Sequence, residues 1–504
     1  MSSLETRRLL PFLAACALIA PGHLFAQSAA ARPAWAAASI PALFLSDIHY
    51  DPLRDPALAP RLNAAPASEW PAILATPASP TREADAAAVQ KACPVRGDDP
   101  DQMLWQSSLH AISTQAANAR FIVLSGDLLP HNFECRYKFL FPAATHAGFL
   151  NFAGNTLRYV VSSLRAALPG VPLYAALGNN DTACTGNSLD PNGDFLALAA
   201  SIVAEGLPPA SRGPILRDLA AGGYYSIRMA APMPRTRLLV VDDLFFLTEF
   251  STCARKKDSS EETAQIAWLN AQLAEARRRR ENVWVLGHIP PGVSLYTTFS
   301  KRKDICGNES AAMSLDSEKM AQALAANADI VRLGIFAHTH SDAFAILQRG
   351  LGDARAAAPD RPRLGPGVPV KVVASISAVN GNNPSFTLAS IDPATATLRD
   401  YTVIEASNLT GIDATWTRQY SYAEDFAEPD FSPASLTDLI AKFRADPAAA
   451  TAPSVAYLRH HYSTGGAADV LKSFWPVYVC AMDHDSAQSF AACACATGVA
   501  PPAR

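Results

Sequence analysis

Five short apolar runs in this chain each stop on residues able to hold a cation or move a proton. Ser46-Asp47-Ile48-His49 follows residues 40–45, Ser125-Gly126-Asp127 follows 121–124, and Gly178-Asn179-Asn180-Asp181 follows 173–177. Gly287-His288 follows 283–286, and Ala337-His338-Thr339-His340 follows 333–336. Each piece alone is weak evidence of a metal site. Asp-x-His triplets are common, Gly-Asp and Gly-Asn make turns, and a lone loop histidine usually bonds backbone. His338 and His340 are better placed, because alternate residues of an extended segment reach the same side. Asn179 poses the choice sharply: the run LYAAL ends in two amides and a carboxylate, which reads either as a turn or as a ligand. Chance accounts poorly for five such endings in order, each after its own run.

The elements that must position these groups are legible from the same runs. Residues 40–45, 121–124, 173–177, 238–241, 283–286, 333–336 and 370–376 have the length and bulk of buried strands. Helical patterns lie between several of them. Residues 101–119 form one; 261–279 form another, with Ile266, Leu269, Leu273 and Ala276 on one stripe and an acidic start facing an Arg-rich end. Strands alternating with helices predict an α/β fold with helices flanking the sheet layers. Ligand-bearing loops at the C-terminal ends of strands are where such sheets bind their ligands. Residues 51–100 and 183–222, rich in Pro, Gly and Asp, read as long loops or insertions. From about residue 413 the strand rhythm is lost, and 413–504 reads as a small helical, cysteine-bearing domain after a main domain over 40–412.

Composition excludes little. The 504 residues carry a net charge of −4, which gives no reason to expect a nucleic-acid-binding surface. Arg7 and Arg8 precede an apolar run over 9–20 that Pro21 and Gly22 break, so 1–26 reads as an export signal and 27–39 as a small-residue leader. A lipoprotein box at Leu13-Ala14-Ala15-Cys16 is the less favoured rival, because the apolar run continues past Cys16. The run is too short to span a membrane, and no later stretch spans either. The expected location is periplasmic or secreted. Losing Cys16 leaves eight cysteines, an even number that favours disulfides in an oxidising compartment. Cys493 and Cys495 should each bridge elsewhere, and Cys253 is expected to pair with Cys306 because their segments are near in sequence. No G-x-S-x-G, H-E-x-x-H or G-x-x-x-x-G-K-[ST] pattern supports another hydrolase or nucleotide site.

Taken in order, the five endings resemble the calcineurin-like metallophosphoesterases, whose pattern is D-x-H, G-D, G-N-H-[D/E], G-H and G-H-x-H. The resemblance covers about residues 40–391. It implies a two-sheet sandwich flanked by helices, with two divalent cations, Zn foremost and Fe or Mn possible from a thiolate-free donor set. It assigns Asp47, His49 and His340 to one cation, Asn179, His288 and His338 to the other, and Asp127 to both. A hydroxide bridging the ions would attack a phosphodiester or phosphoanhydride in line. Two departures stand out: Ala337 replaces a glycine, and Asn180 replaces the histidine often credited with protonating the leaving oxygen. An amide at the catalytic position Asn180 cannot be a general acid. His131, four residues past Asp127, is the substitute, in a G-D-x-x-x-H arrangement similar to the acid sphingomyelinase-like branch. The endopolyphosphatase-like branch is also similar, since it carries G-N-N-D. Trp416 and Tyr420 resemble the start of that branch's helical tail. Lipid, nucleotide and polyphosphate substrates all remain open. The competing reading is a binding or surface protein that keeps the metals while Asn180 marks lost catalysis.

Overall fold

Apolar runs of four to six residues give the short parallel strands, and with antiparallel partners they form two sheets of six among the described residues. The computed structural model describes residues 39–233, 235–348, 367–465 and 468–498. The expected export signal with Cys16, and the leader up to residue 38, lie outside the described residues. The strands are β1 (Ile40–Leu45), β2 (Ile122–Ser125), β3 (Leu173–Ala176), β4 (Tyr225–Arg228), β5 (Thr236–Val240) and β6 (Asn282–Leu286). They continue as β7 (Val331–Phe336), β8 (Ala343–Leu347), β9 (Val368–Val372), β10 (Ser385–Asp392), β11 (Thr397–Ala406) and β12 (Trp416–Ser421).

The first sheet runs β12-β11-β10-β1-β2-β3 and the second β4-β5-β6-β7-β9-β8. β1, β2 and β3 are parallel neighbours, as are β5, β6, β7 and β9, while antiparallel strands close the other edges. Parallel strands buried on both faces need continuous apolar runs, which explains why the sequence pattern found them. The sheets meet through aromatic side chains. Trp284 of β6 packs edge-on against Phe44 of β1 and against Phe121, with ring centroids 6.2 and 5.8 Å apart. Its buried indole donates to the Ala396 carbonyl at 2.7 Å.

Several expectations need correction. Of the two readings of residues 51–100, the structure favours an insertion over a plain loop: they hold helices Ala59–Ala64, Trp70–Leu74 and Arg82–Ala92, and Trp70 is fully buried. Residues 183–222 likewise contain the helix Asp194–Glu205. A long helix, His146–Ala167, went unread although Thr145 caps it and Phe149, Phe152, Leu157, Val160 and Leu164 make a buried stripe. Trp416 and Tyr420 do not open a helical segment. They lie on β12, because the free edge of β11 offers the hydrogen-bond ladder that local pattern alone does not reveal. The expected border at 412–413 falls just before that strand, and helices follow it. Phe344 of β8 meets Phe426, Phe431, Phe443 and Tyr457 of the tail, so one hydrophobic core runs on into those helices.

All eight cysteines of the described residues are paired: Cys93–Cys135, Cys184–Cys253, Cys306–Cys495 and Cys480–Cys493. Cys253 therefore does not pair with Cys306. A bridge between Ser188 and Ser251 draws the Cys184 loop beside it instead. Cys493 and Cys495 do bridge elsewhere. No helix of the described residues is long and apolar enough to cross a membrane.

Candidate metal centre

The loops after β1, β2, β3, β6 and β7 converge on one edge of the sandwich. Their backbones adopt a conformation that side-chain-bearing residues seldom take. Asp47, His49, Asp127, His338 and His340 all have positive φ, between 43° and 68°. Backbone strain concentrated in this way marks a site whose geometry the surrounding fold imposes. Glycine is needed where the loops touch: a Cβ on Gly126, itself at φ 85°, would lie 2.6 Å from the Gly178 nitrogen. A Cβ on Gly178 would strike the Asp127 carboxylate. Ala337, in the family's glycine position, is accommodated and fully buried.

The side chains form two groups that share one carboxylate. In the first, His49 Nε2 lies 3.2 Å from His340 Nε2, which is 3.4 Å from Asp47 Oδ1. In the second, His288 Nε2 lies 3.1 Å from Asn179 Oδ1 and 3.3 Å from His338 Nδ1. Asp127 Oδ2 stands between them, 3.4 Å from His49 Nε2 and 3.2 Å from His288 Nε2. Thus the structure brings together all seven expected ligands. Backbone carbonyls fix the tautomers of two of the four imidazoles. His49 Nδ1 donates to the Leu129 carbonyl at 3.0 Å, and His288 Nδ1 to the Ser125 carbonyl at 2.7 Å, so both Nε2 atoms aim inward.

This donor set fits cations. Asp47 Oδ1 is buried and accepts no hydrogen bond from the described residues. Pairs of inward nitrogens 3.2–3.3 Å apart are poorly satisfied by a single shared proton and well satisfied by a metal between them. Burial pushes the Asp47 carboxyl up to about 7, against the pull of His288 and with the push of Asp127. Burial also holds His49 down at about 4 and His338 down at about 3, leaving both rings as neutral lone-pair donors. At His288 burial opposes charge, yet Asp127 beside it prevails and raises the imidazole to about 10. Carboxylates that draw a proton onto that ring would equally draw a cation.

Asn180 sits against the shared carboxylate: its backbone N–H donates to Asp127 Oδ1 and its Nδ2 to Asp127 Oδ2, both at 2.8 Å. His131 stacks on His49, with centroids 3.9 Å apart, and its side chain remains 30% exposed at the mouth of the site. Asp99, fully buried, clamps it: the His131 backbone N–H donates to Asp99 Oδ2, and Nδ1–H to Oδ1, each at 2.8 Å. The burial that opposes charge on His131 is outweighed by the Asp99 carboxylate, and the imidazole is raised above its ordinary value.

Three carboxylates here carry no role in the sequence reading, although Asp181 is named there. Asp99 lies in a segment read as loop or insertion, with no periodicity to flag it. Asp181 accepts from the Leu128, Leu129 and Gly178 N–H groups at 2.8–2.9 Å and ties the β2 loop to the β3 loop. Asp243 accepts from the His288 and Ile289 N–H groups at 2.6 and 2.8 Å, fixing the loop after β6. The rule that found the ligands, an acidic residue just past a strand, applied equally to Asp243.

A family model described as calcineurin-like phosphoesterase matches residues 40–342. The chain is 24% identical over 406 residues to acid sphingomyelinase-like phosphodiesterase 3b of Homo sapiens, covering 79% of this chain and 81% of that protein. It is 23% identical to the cyclic GMP-AMP phosphodiesterase SMPDL3A of Homo sapiens, covering 69% of each. Similarity to the sphingomyelin phosphodiesterase of Homo sapiens is 25% over 58% of this chain and 43% of that protein. The chain therefore belongs to the calcineurin-like phosphoesterase family, in its acid sphingomyelinase-like branch, and is a phosphoric ester hydrolase.

Proposed function

We propose that this protein is an exported phosphodiesterase working with two divalent cations, Zn foremost. Asp47, His49 and His340 hold one cation, Asn179, His288 and His338 the other, and Asp127 both. The observation that carries this reading is the position of Asp127 Oδ2, within 3.4 Å of one imidazole from each group. When bound, a pair of divalent cations would lower the pKa of water and neutralise charge on a reacting phosphate.

The chain's own residues do the rest. Two carboxylates against two divalent cations leave the centre positive, which suits an anionic ester. Asn180 holds Asp127 in place through both of its donors. His131 delivers a proton to the leaving oxygen from Nε2, since Asp99 engages Nδ1. Its partial exposure lets substrate reach it. The named activities of the relatives favour a phosphodiester over a phosphoanhydride.

Turnover of bis-p-nitrophenyl phosphate, measured before and after chelation and metal add-back, tests the reading. The expected result is activity that chelator abolishes and a divalent metal restores. No chelator-sensitive turnover with any divalent metal would favour a binding protein instead. A panel of sphingomyelin, nucleotides and long-chain polyphosphate then separates the substrate classes.

A further inference from the structure

The two ligand groups are braced from different parts of the chain. Asn179 and His288 are supported from inside the sandwich, by Asp181 on the Gly178 N–H and Asp243 on the His288 N–H. His338 follows Ala337, whose N–H donates to the His288 carbonyl at 2.7 Å. The group of Asp47, His49 and His340 is reached by the tail turn 461–465 through two loops. Among the described residues, the loop of Ser377 and Asn382 meets the neighbour of His338 only where Asn380 Nδ2 donates to the Thr339 carbonyl at 3.4 Å.

One route runs to the loop that carries His340. The Asp342 N–H donates to the His461 carbonyl at 2.8 Å. The Asp342 carboxylate is ion-paired with the buried Lys371 and accepts from the Tyr420 hydroxyl at 2.6 Å. Lys371 Nζ in turn lies 4.2 Å from the Tyr401 ring centroid, and Tyr420 stacks on His460 at 3.9 Å. The other route runs to the backbone of Asp47. Ser377 and Ile376 donate to the Asp47 and Ser46 carbonyls at 3.0 and 3.3 Å. Asn382 holds that segment through the Ser377 carbonyl at 2.9 Å. Just beyond it, Ser385 and Asn383 bond Ser463 and Thr464, each at 2.9 Å. Ser463 and Thr464 both have positive φ, and Gly465 lies so close to Gly381 that a Cβ would strike its carbonyl.

We infer that the turn 461–465 is a positioning brace for one cation site only, that of Asp47, His49 and His340. This rests on the two-cation reading above. Loosening the turn then weakens one site and spares the one at Asn179, His288 and His338.

The test is metal content of purified full-length protein after equilibration with graded chelator, with anomalous diffraction to locate the retained ion. Gly465→Ala disturbs the turn; Tyr420→Phe, which removes one hydroxyl and little else, covers the case in which Gly465→Ala fails to fold. Wild type is expected to bind two equivalents. Each variant is expected to keep one at wild-type affinity, beside His288, and to hold the other about 10–100-fold more weakly, the usual effect of removing outer support from a metal site. Equal weakening of both sites, or no weakening in a folded variant, would overturn the brace. Fewer than two equivalents in wild type would overturn the two-cation reading itself, and the brace with it.

Discussion

The two sheets bring different chemistry to the same edge. The first supplies the oxygen donors, Asp47, Asp127 and Asn179, together with His49; the second supplies imidazoles alone, His288, His338 and His340. All the formal negative charge of the cluster therefore comes from one sheet. Neither sheet could hold two cations unaided, so the centre exists only when Trp284, Phe44 and Phe121 have closed the sandwich. The difference teaches where function is most exposed to mutation. On the two-cation proposal, losing Asp127 from the first sheet removes the carboxylate shared by both ions, whereas an imidazole lost from the second sheet removes a donor from one.

The largest effect should follow from breaking the shared member. Asp127→Asn is expected to lower kcat/KM by more than the ~10²–10⁴-fold a general acid contributes, and to reduce bound metal from two equivalents. A variant that keeps both metals and most activity would erase the distinction between the sheets. Next is His131, the proposed proton donor, which the loop after β2 of the first sheet carries. His131→Gln should slow esters with poor leaving groups by about 10²–10⁴-fold and p-nitrophenyl esters far less. Equal slowing of both would remove His131 from that role.

Asp243→Asn probes the second sheet, by withdrawing charge from the acceptor of the His288 and Ile289 N–H groups. Metal affinity at one site should fall by about 10–100-fold, read by chelator titration, with the other unchanged. The smallest change is expected from Asp99→Asn. Asp99 raises the His131 imidazole, so removing its charge lowers that value. An acid works only while protonated, so the alkaline limb of the kcat/KM profile should move to lower pH. A limb that stays put would mean that another group titrates there.

Much of this was legible because buried parallel strands leave a simple signature: an unbroken apolar run, then the ligand. The β1, β2, β3, β6 and β7 endings were found in that way. What escaped depends on partners distant in sequence. β12 forms because β11 has an edge, and Cys184 meets Cys253 because Ser188 bridges Ser251. Asp99 matters because the fold sets it against His131. None of these pairings has a local period to read.

The most direct test is anomalous scattering from crystals of metal-saturated protein. Two peaks about 3.5–4 Å apart are predicted, one contacted by Asp47, His49 and His340, the other by Asn179, His288 and His338, with Asp127 touching both. A single peak, or any pair that Asp127 does not bridge, would contradict the account.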